Sequence, residues 1–89
     1  MNITSVRVRE SKSNIGGLRA IASVIIDNAL AIHDIKVIQG TKGLFIGMPS
    51  RKTIDLESEY IDVVHPINQE TRDMLQNIIL AKYEEVIAK

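Results

Sequence analysis

The chain has no cysteine and no tryptophan, and its aromatic side chains are limited to Phe45, Tyr60 and Tyr83. The missing cysteines exclude disulfides, thiolate zinc sites and cysteine nucleophiles. The scarcity of aromatics excludes a broad base-stacking platform of the kind single-strand binders use. It also requires an aliphatic core, which Ile and Val supply, and both favour pleated sheet. No apolar run approaches the roughly 20 residues of a membrane span. The start, "MNITSVRVRE", has no apolar stretch of the length a signal peptide needs. A protein that is not inserted in a membrane, in the cytoplasm, is the expectation.

What is present suits one small domain spanning residues 1–89. At 89 residues and 45% hydrophobic content the chain can fill one modest core. Net charge is zero, yet it is unevenly spread. Residues 1–52 hold eight cations against three acids, and residues 53–89 hold three cations against eight acids. Such a split hints at a side that faces a polyanion. Folding that interleaves the two halves would cancel it.

"ITSVRVRE" alternates, with Thr4, Val6 and Val8 on one side and Ser5, Arg7 and Arg9 on the other, a strand with a cationic outer face. "SKSNIGG" is a turn, and "LRAIASVIID" a second strand with small Ala20 and Ala22. Asp27-Asn28 reads as a tight connection into "ALAIHDIKVIQG". There the apolar phase shifts between Ile32 and Ile35, so a β-bulge is expected at His33-Asp34. "GTKG" is a hairpin turn, "GLFIGM" a fourth strand stopped by Pro49, and "YIDVVHP" a short fifth. Expected strand bounds are 3–9, 18–27, 29–38, 43–48 and 60–64. After Pro66, Asn68 is suited to cap a helix over 69–87, whose apolar stripe runs through Leu75, Ile78, Ile79, Lys82 and Val86. The fold class is α+β: a mainly antiparallel five-stranded sheet with one C-terminal helix. Several strands carry apolar residues on both parities, so leftover apolar surface points to a homodimer.

Catalysis is not expected. His33 and His65, with Asp34 and Asp62, match no metal-ligand spacing and are read as backbone-bonded residues at strand ends or bulges. No activated nucleophile, phosphate loop or dinucleotide fingerprint occurs. No cofactor or metal is implied. The basic positions are better placed. Arg7 and Arg9 face outward from a strand, Lys42 tips a hairpin, and Arg51 and Lys52 follow Pro49. Exposed cations of this kind grip phosphates, although loops are often charged merely for solubility.

"RAIASVIID", "IHDIKVI", "GLFIGMPSRKT" and "HPIN" followed by "TR" resemble, over nearly the whole chain, the stage V sporulation protein G family of bacteria. The resemblance implies a small homodimer that binds DNA and RNA. It further implies regulation of genes for septation, sporulation or surface and virulence traits. The family's basic pair falls on Arg51 and Lys52, with Ser50 and Thr53 as flanking hydroxyls. Where the family carries a short glycine-containing loop, "IDLESEYIDVVHP" has no glycine and adds Asp55, Glu57 and Glu59. Those carboxylates would compete with phosphate. A second class of function is a non-enzymatic interaction module that binds regulatory proteins. It would use either the acidic helix face (Glu70, Asp73, Glu84, Glu85) or a free sheet edge.

Overall fold

Two tight turns organise the chain. At Asp27-Asn28 both residues take φ of 52°, and the Ala29 amide donates to the Ile26 carbonyl at 2.9 Å. Positive φ at both central positions is the type I′ geometry, and Asp and Asn tolerate it better than most side chains. At Thr41-Lys42 the flanking Gly40 and Gly43 pair directly, and Gly43 has φ 128°. The computed structural model describes residues 2–12, 15–52 and 60–88.

These turns join β2 (Leu18–Ile26), β3 (Leu30–Gly40) and β4 (Gly43–Gly47). With β1 (Ile3–Glu10) they form a four-stranded antiparallel sheet in the order β1-β2-β3-β4. A short 3-10 turn at Ile15–Gly17 leads into β2. Its Gly17, at φ 81°, sits so close to β3 that an added Cβ would lie 2.6 Å from the Gln39 carbonyl oxygen.

The expected five-stranded sheet is not what forms. β5 (Ser50–Lys52) and β6 (Tyr60–Asp62) pair only with each other, as a separate two-stranded ribbon. Pro49 has no amide to continue a ladder, so the chain turns out of the main sheet there. The Val63 amide donates to the Pro49 carbonyl at 2.8 Å, extending the ribbon.

One sheet face is the core. Ala20, Ala22, Val24 and Ile26 of β2 point inward with Ile32, Ile35 and Val37 of β3 and Ile46 of β4. The step from Ile32 to Ile35 spans three residues opposite only two on β2, where Ala22 pairs with Ile35 and Val24 with Ile32. Asp34 absorbs the extra residue at φ 63°. The bulge expected at His33-Asp34 is therefore present, and it keeps both halves of β3 facing the core. A second shift lies at the start of β1, between Ile3 and Ser5. It turns Thr4 outward, contrary to simple alternation, and packs Ile3 beside Val6 and Val8. The Thr4 hydroxyl accepts from the Asn28 amide at 3.0 Å and donates to the Ile25 carbonyl at 3.2 Å.

The C-terminal helix α1 (Gln69–Ile87) covers the core face, reaching from β1 to β4. Asn68 caps it: its side-chain oxygen accepts the Thr71 amide at 2.7 Å, and Glu70 complements the positive helix end. The buried stripe is Leu75, Ile79 and Tyr83, one residue every four. Tyr83 was not expected in it. Ile78, Lys82 and Val86 flank the stripe half-buried. No helix among the described residues is long and apolar enough to cross a membrane.

Candidate nucleic-acid interface

Because α1 takes one face of the sheet, the other stays open. Residues paired across antiparallel strands share a face. Arg9 pairs with Ile21, Ile21 with Lys36, and Lys36 with Gly47, so two cations lie in one row across β1 to β4. Arg9 and Lys36 stand two strand spacings apart, about 10 Å. Arg7 pairs with Ser23 in the next row. All three cationic side chains are exposed.

Two adjoining hollows follow these rows. One is lined by Arg7, Arg9, Ser23 and Ile21 together with Lys82 of α1, the other by Ile21, Lys36, Pro49, Ser50 and Val63, and both reach His33 and Asp34. Together they form a shallow trough from β1 across the sheet to the start of β5. No carboxylate of a described residue lies within 4.0 Å of the Arg7, Arg9, Lys36, Lys42 or Arg51 charges. The ion pair found among the described residues joins Lys82 to Glu85 on α1 at 3.4 Å. Among the described residues, Asp34 is the one acid lining the trough.

The expected site residues do not all converge. Arg7, Arg9 and Ser50 share the trough. Arg51 pairs with Ile61 in the β5–β6 ribbon and is exposed. Successive strand residues face opposite sides, so with Ser50 toward the trough, Arg51 lies on the ribbon's other side. It is part of a strand here, not of a loop. Lys42 sits in the β3–β4 turn beyond the Gly40–Gly43 pair, which itself lies four residues and roughly 13 Å along from the Lys36–Gly47 row. Lys52 is placed in β5 opposite Tyr60. Thr53 and the acids Asp55, Glu57 and Glu59 lie outside the described residues.

Sequence reasoning missed Lys36. The signal was the phase shift itself: once the bulge restores the inward direction at Ile35 and Val37, Lys36 must face outward with Arg9. His33 is exposed beside the trough, and His65 donates from Nδ1 to the Pro66 carbonyl at 3.0 Å. No group of three or more His, Asp or Glu residues among the described ones could hold a metal ion.

The family model of SpoVG matches residues 1–85. The chain belongs to the SpoVG family. It is 54% identical to a protein of Caldicellulosiruptor bescii over 88 residues, covering 99% of this chain and 97% of that one. A Lachnospira eligens protein is 56% identical over 85 residues, covering 96% and 93% of the two chains. One from Clostridium acetobutylicum is 55% identical over 86 residues, covering 97% and 87%. Each carries the name "Putative septation protein SpoVG", which describes a septation protein and not an enzyme. Membership of the SpoVG family therefore spans the sheet, the ribbon and most of the helix that together frame the trough.

Proposed function

We propose that this SpoVG-family protein is a homodimeric regulator that binds DNA and RNA, and so affects septation- or sporulation-related gene expression. The observation that carries the reading is the row of cations on the helix-free sheet face with no described carboxylate within 4.0 Å. Arg7, Arg9 and Lys36 hold positive charge over a shallow trough that, among the described residues, one acid borders. Phosphate backbones bind such a surface without needing a shaped pocket. Arg51 and Lys52 on the β5–β6 ribbon act as a second grip beyond the trough's edge.

Dimerisation is supported by apolar side chains left in solvent outside the trough's lining: Ile67 is 89% exposed and Ile61 43%. Two copies related by a two-fold axis would cover them and double the phosphate contacts. Two weak grips on one nucleic acid then gain by effective concentration.

The test is fluorescence anisotropy with a labelled DNA and a labelled RNA over a salt series, with sedimentation to count subunits. Affinity should fall steeply with salt. Each phosphate contact contributes roughly 0.7–0.9 to the log–log slope. Arg7→Ala/Arg9→Ala and Arg51→Ala/Lys52→Ala should each flatten it. A wild-type protein that binds neither nucleic acid at low salt would sink this reading. Attention would then move to the exposed acids Glu70, Asp73, Glu84 and Glu85 of α1 as a surface for a regulatory protein.

A further inference from the structure

Phe45 is an aromatic side chain of β4 that remains 40% exposed on the open face. It pairs with Ile38, one row beyond the Lys36–Gly47 pair, so its Cα lies diagonally from Lys36, about 7–8 Å away. Its position is held from below. A Cβ added at Gly40 would come within 2.9 Å of Phe45 Cε1 and 3.4 Å of Cδ1. The ring edge therefore occupies the space that any other residue at 40 would fill. A hollow beside it is lined by Gly40, Thr41, Lys42 and Leu44. Arg9 and Lys36 thus share one row of the open face, Phe45 lies one diagonal step from it, and Lys42 follows in the turn beyond, so cations stand on both sides of one seated aromatic ring.

The part of the ring left in water adds nothing to the core, which lies on the other face. Apolar contact alone would not explain why it is bracketed by lysines with no described carboxylate within 4.0 Å. Flat π-surface between cations fits one ligand chemistry: a nucleobase stacked on the ring with its flanking phosphates on the lysines. A duplex keeps its bases stacked on each other and offers none to the ring.

We infer that Phe45 is a base-stacking residue, and that the path from Arg9 and Lys36 past Phe45 to Lys42 takes single-stranded nucleic acid in preference to duplex. The proposal rests on the nucleic-acid reading above and specifies its substrate. Arg9 to Phe45 spans about 16 Å, three strand spacings across and two residues along. A segment of a few nucleotides covers that distance. One ring gives one stacked base, so the preference is for strandedness and not for a base sequence.

The experiment compares a labelled 12-nucleotide oligothymidine, the matching oligouridine, and a 12-base-pair DNA duplex. The proteins are wild type, Phe45→Leu and Phe45→Trp, each checked for fold by circular dichroism. Loss of one base stack predicts at least about fivefold weaker binding of the single strands by Phe45→Leu. Duplex affinity should stay unchanged. Phe45→Trp should keep wild-type affinity, and its indole emission should be quenched by the single strands and not by the duplex. The oligothymidine and oligouridine arms report whether DNA or RNA is preferred. Unchanged single-strand affinity in Phe45→Leu, or an indole blind to both single strands, overturns the stacking role while leaving phosphate binding intact. Equal loss of duplex and single-strand binding in Phe45→Leu overturns it as well. If wild type binds none of the three at low salt, the broader nucleic-acid reading falls together with this one.

Discussion

The Ile46 backbone amide, on the outer side of the edge strand β4, donates to the Gln76 side-chain oxygen of α1 at 3.4 Å. A helix side chain thus occupies a hydrogen-bonding site that an incoming strand would use. Edge strands invite pairing with other chains, and covering them is one way to prevent it. At Ile46 the β4 edge amide is therefore already occupied and closed to a partner strand's carbonyl.

Gln76→Ala should destabilise the fold by about 1 kcal/mol, the usual net contribution of one hydrogen bond. Urea denaturation followed by circular dichroism measures it. A loss below ~0.3 kcal/mol would show that the edge amide is satisfied equally well by water.

Asp34 offers a test of the bulge and of the trough together. Its φ of 63° costs an ordinary L-residue about 1–2 kcal/mol, and a β-branched side chain more. Asp34→Gly should therefore be neutral or stabilising, and Asp34→Val clearly destabilising. Asp34→Asn keeps the backbone tolerance and removes the acid lining the trough. It should tighten binding of a labelled oligonucleotide at low salt, and the gain should vanish as salt rises.

Gly17→Ala places a Cβ 2.6 Å from the Gln39 carbonyl oxygen at φ 81°, so clash and backbone strain add. Thermal melting should show a loss of more than about 2 kcal/mol, in the range of substitutions that strain a special backbone position. Gly16→Ala is the useful control. Its φ is 65°, but nothing lies within 4 Å of the added Cβ, so its loss should be smaller.

Lys36→Gln removes one charge from the row without altering an exposed strand's length or packing. The log–log salt slope of oligonucleotide binding should fall in magnitude by roughly one unit, the effect of releasing a single phosphate. Arg72→Gln, on α1 across the sheet, should leave the slope unchanged. Equal slopes in the two variants would remove Lys36 from the interface.

Much of this was written into local pattern. The valine and isoleucine alternation marks each strand, Asn68 marks the helix start, and the slip between Ile32 and Ile35 marks the bulge. These features follow from periods of 2 and 3.6 residues and from caps that act within a few residues.

Where local pattern failed, the deciding interactions were long-range. Thr4 continues the alternation of β1 on paper, yet its hydroxyl serves the Asn28 turn and the strand bulges to let it. Tyr83 looked like a boundary residue, but α1 reaches far enough across the sheet to bury it. "YIDVV" has the composition of a fifth sheet strand, yet Pro49 directs its partner away and a separate ribbon forms. The candidate site shows the same division. The sequence alone determined that this chain has outward cations and an antiparallel sheet with one helix. Which cations stand together was decided by register across strands. Arg9, Ile21 and Lys36 are separated by 12 and 15 residues along the chain, and only hydrogen-bonded pairing of three strands puts them in one row. Adjacent Arg51 and Ser50 are parted for the converse reason: a strand sends neighbouring side chains to opposite faces.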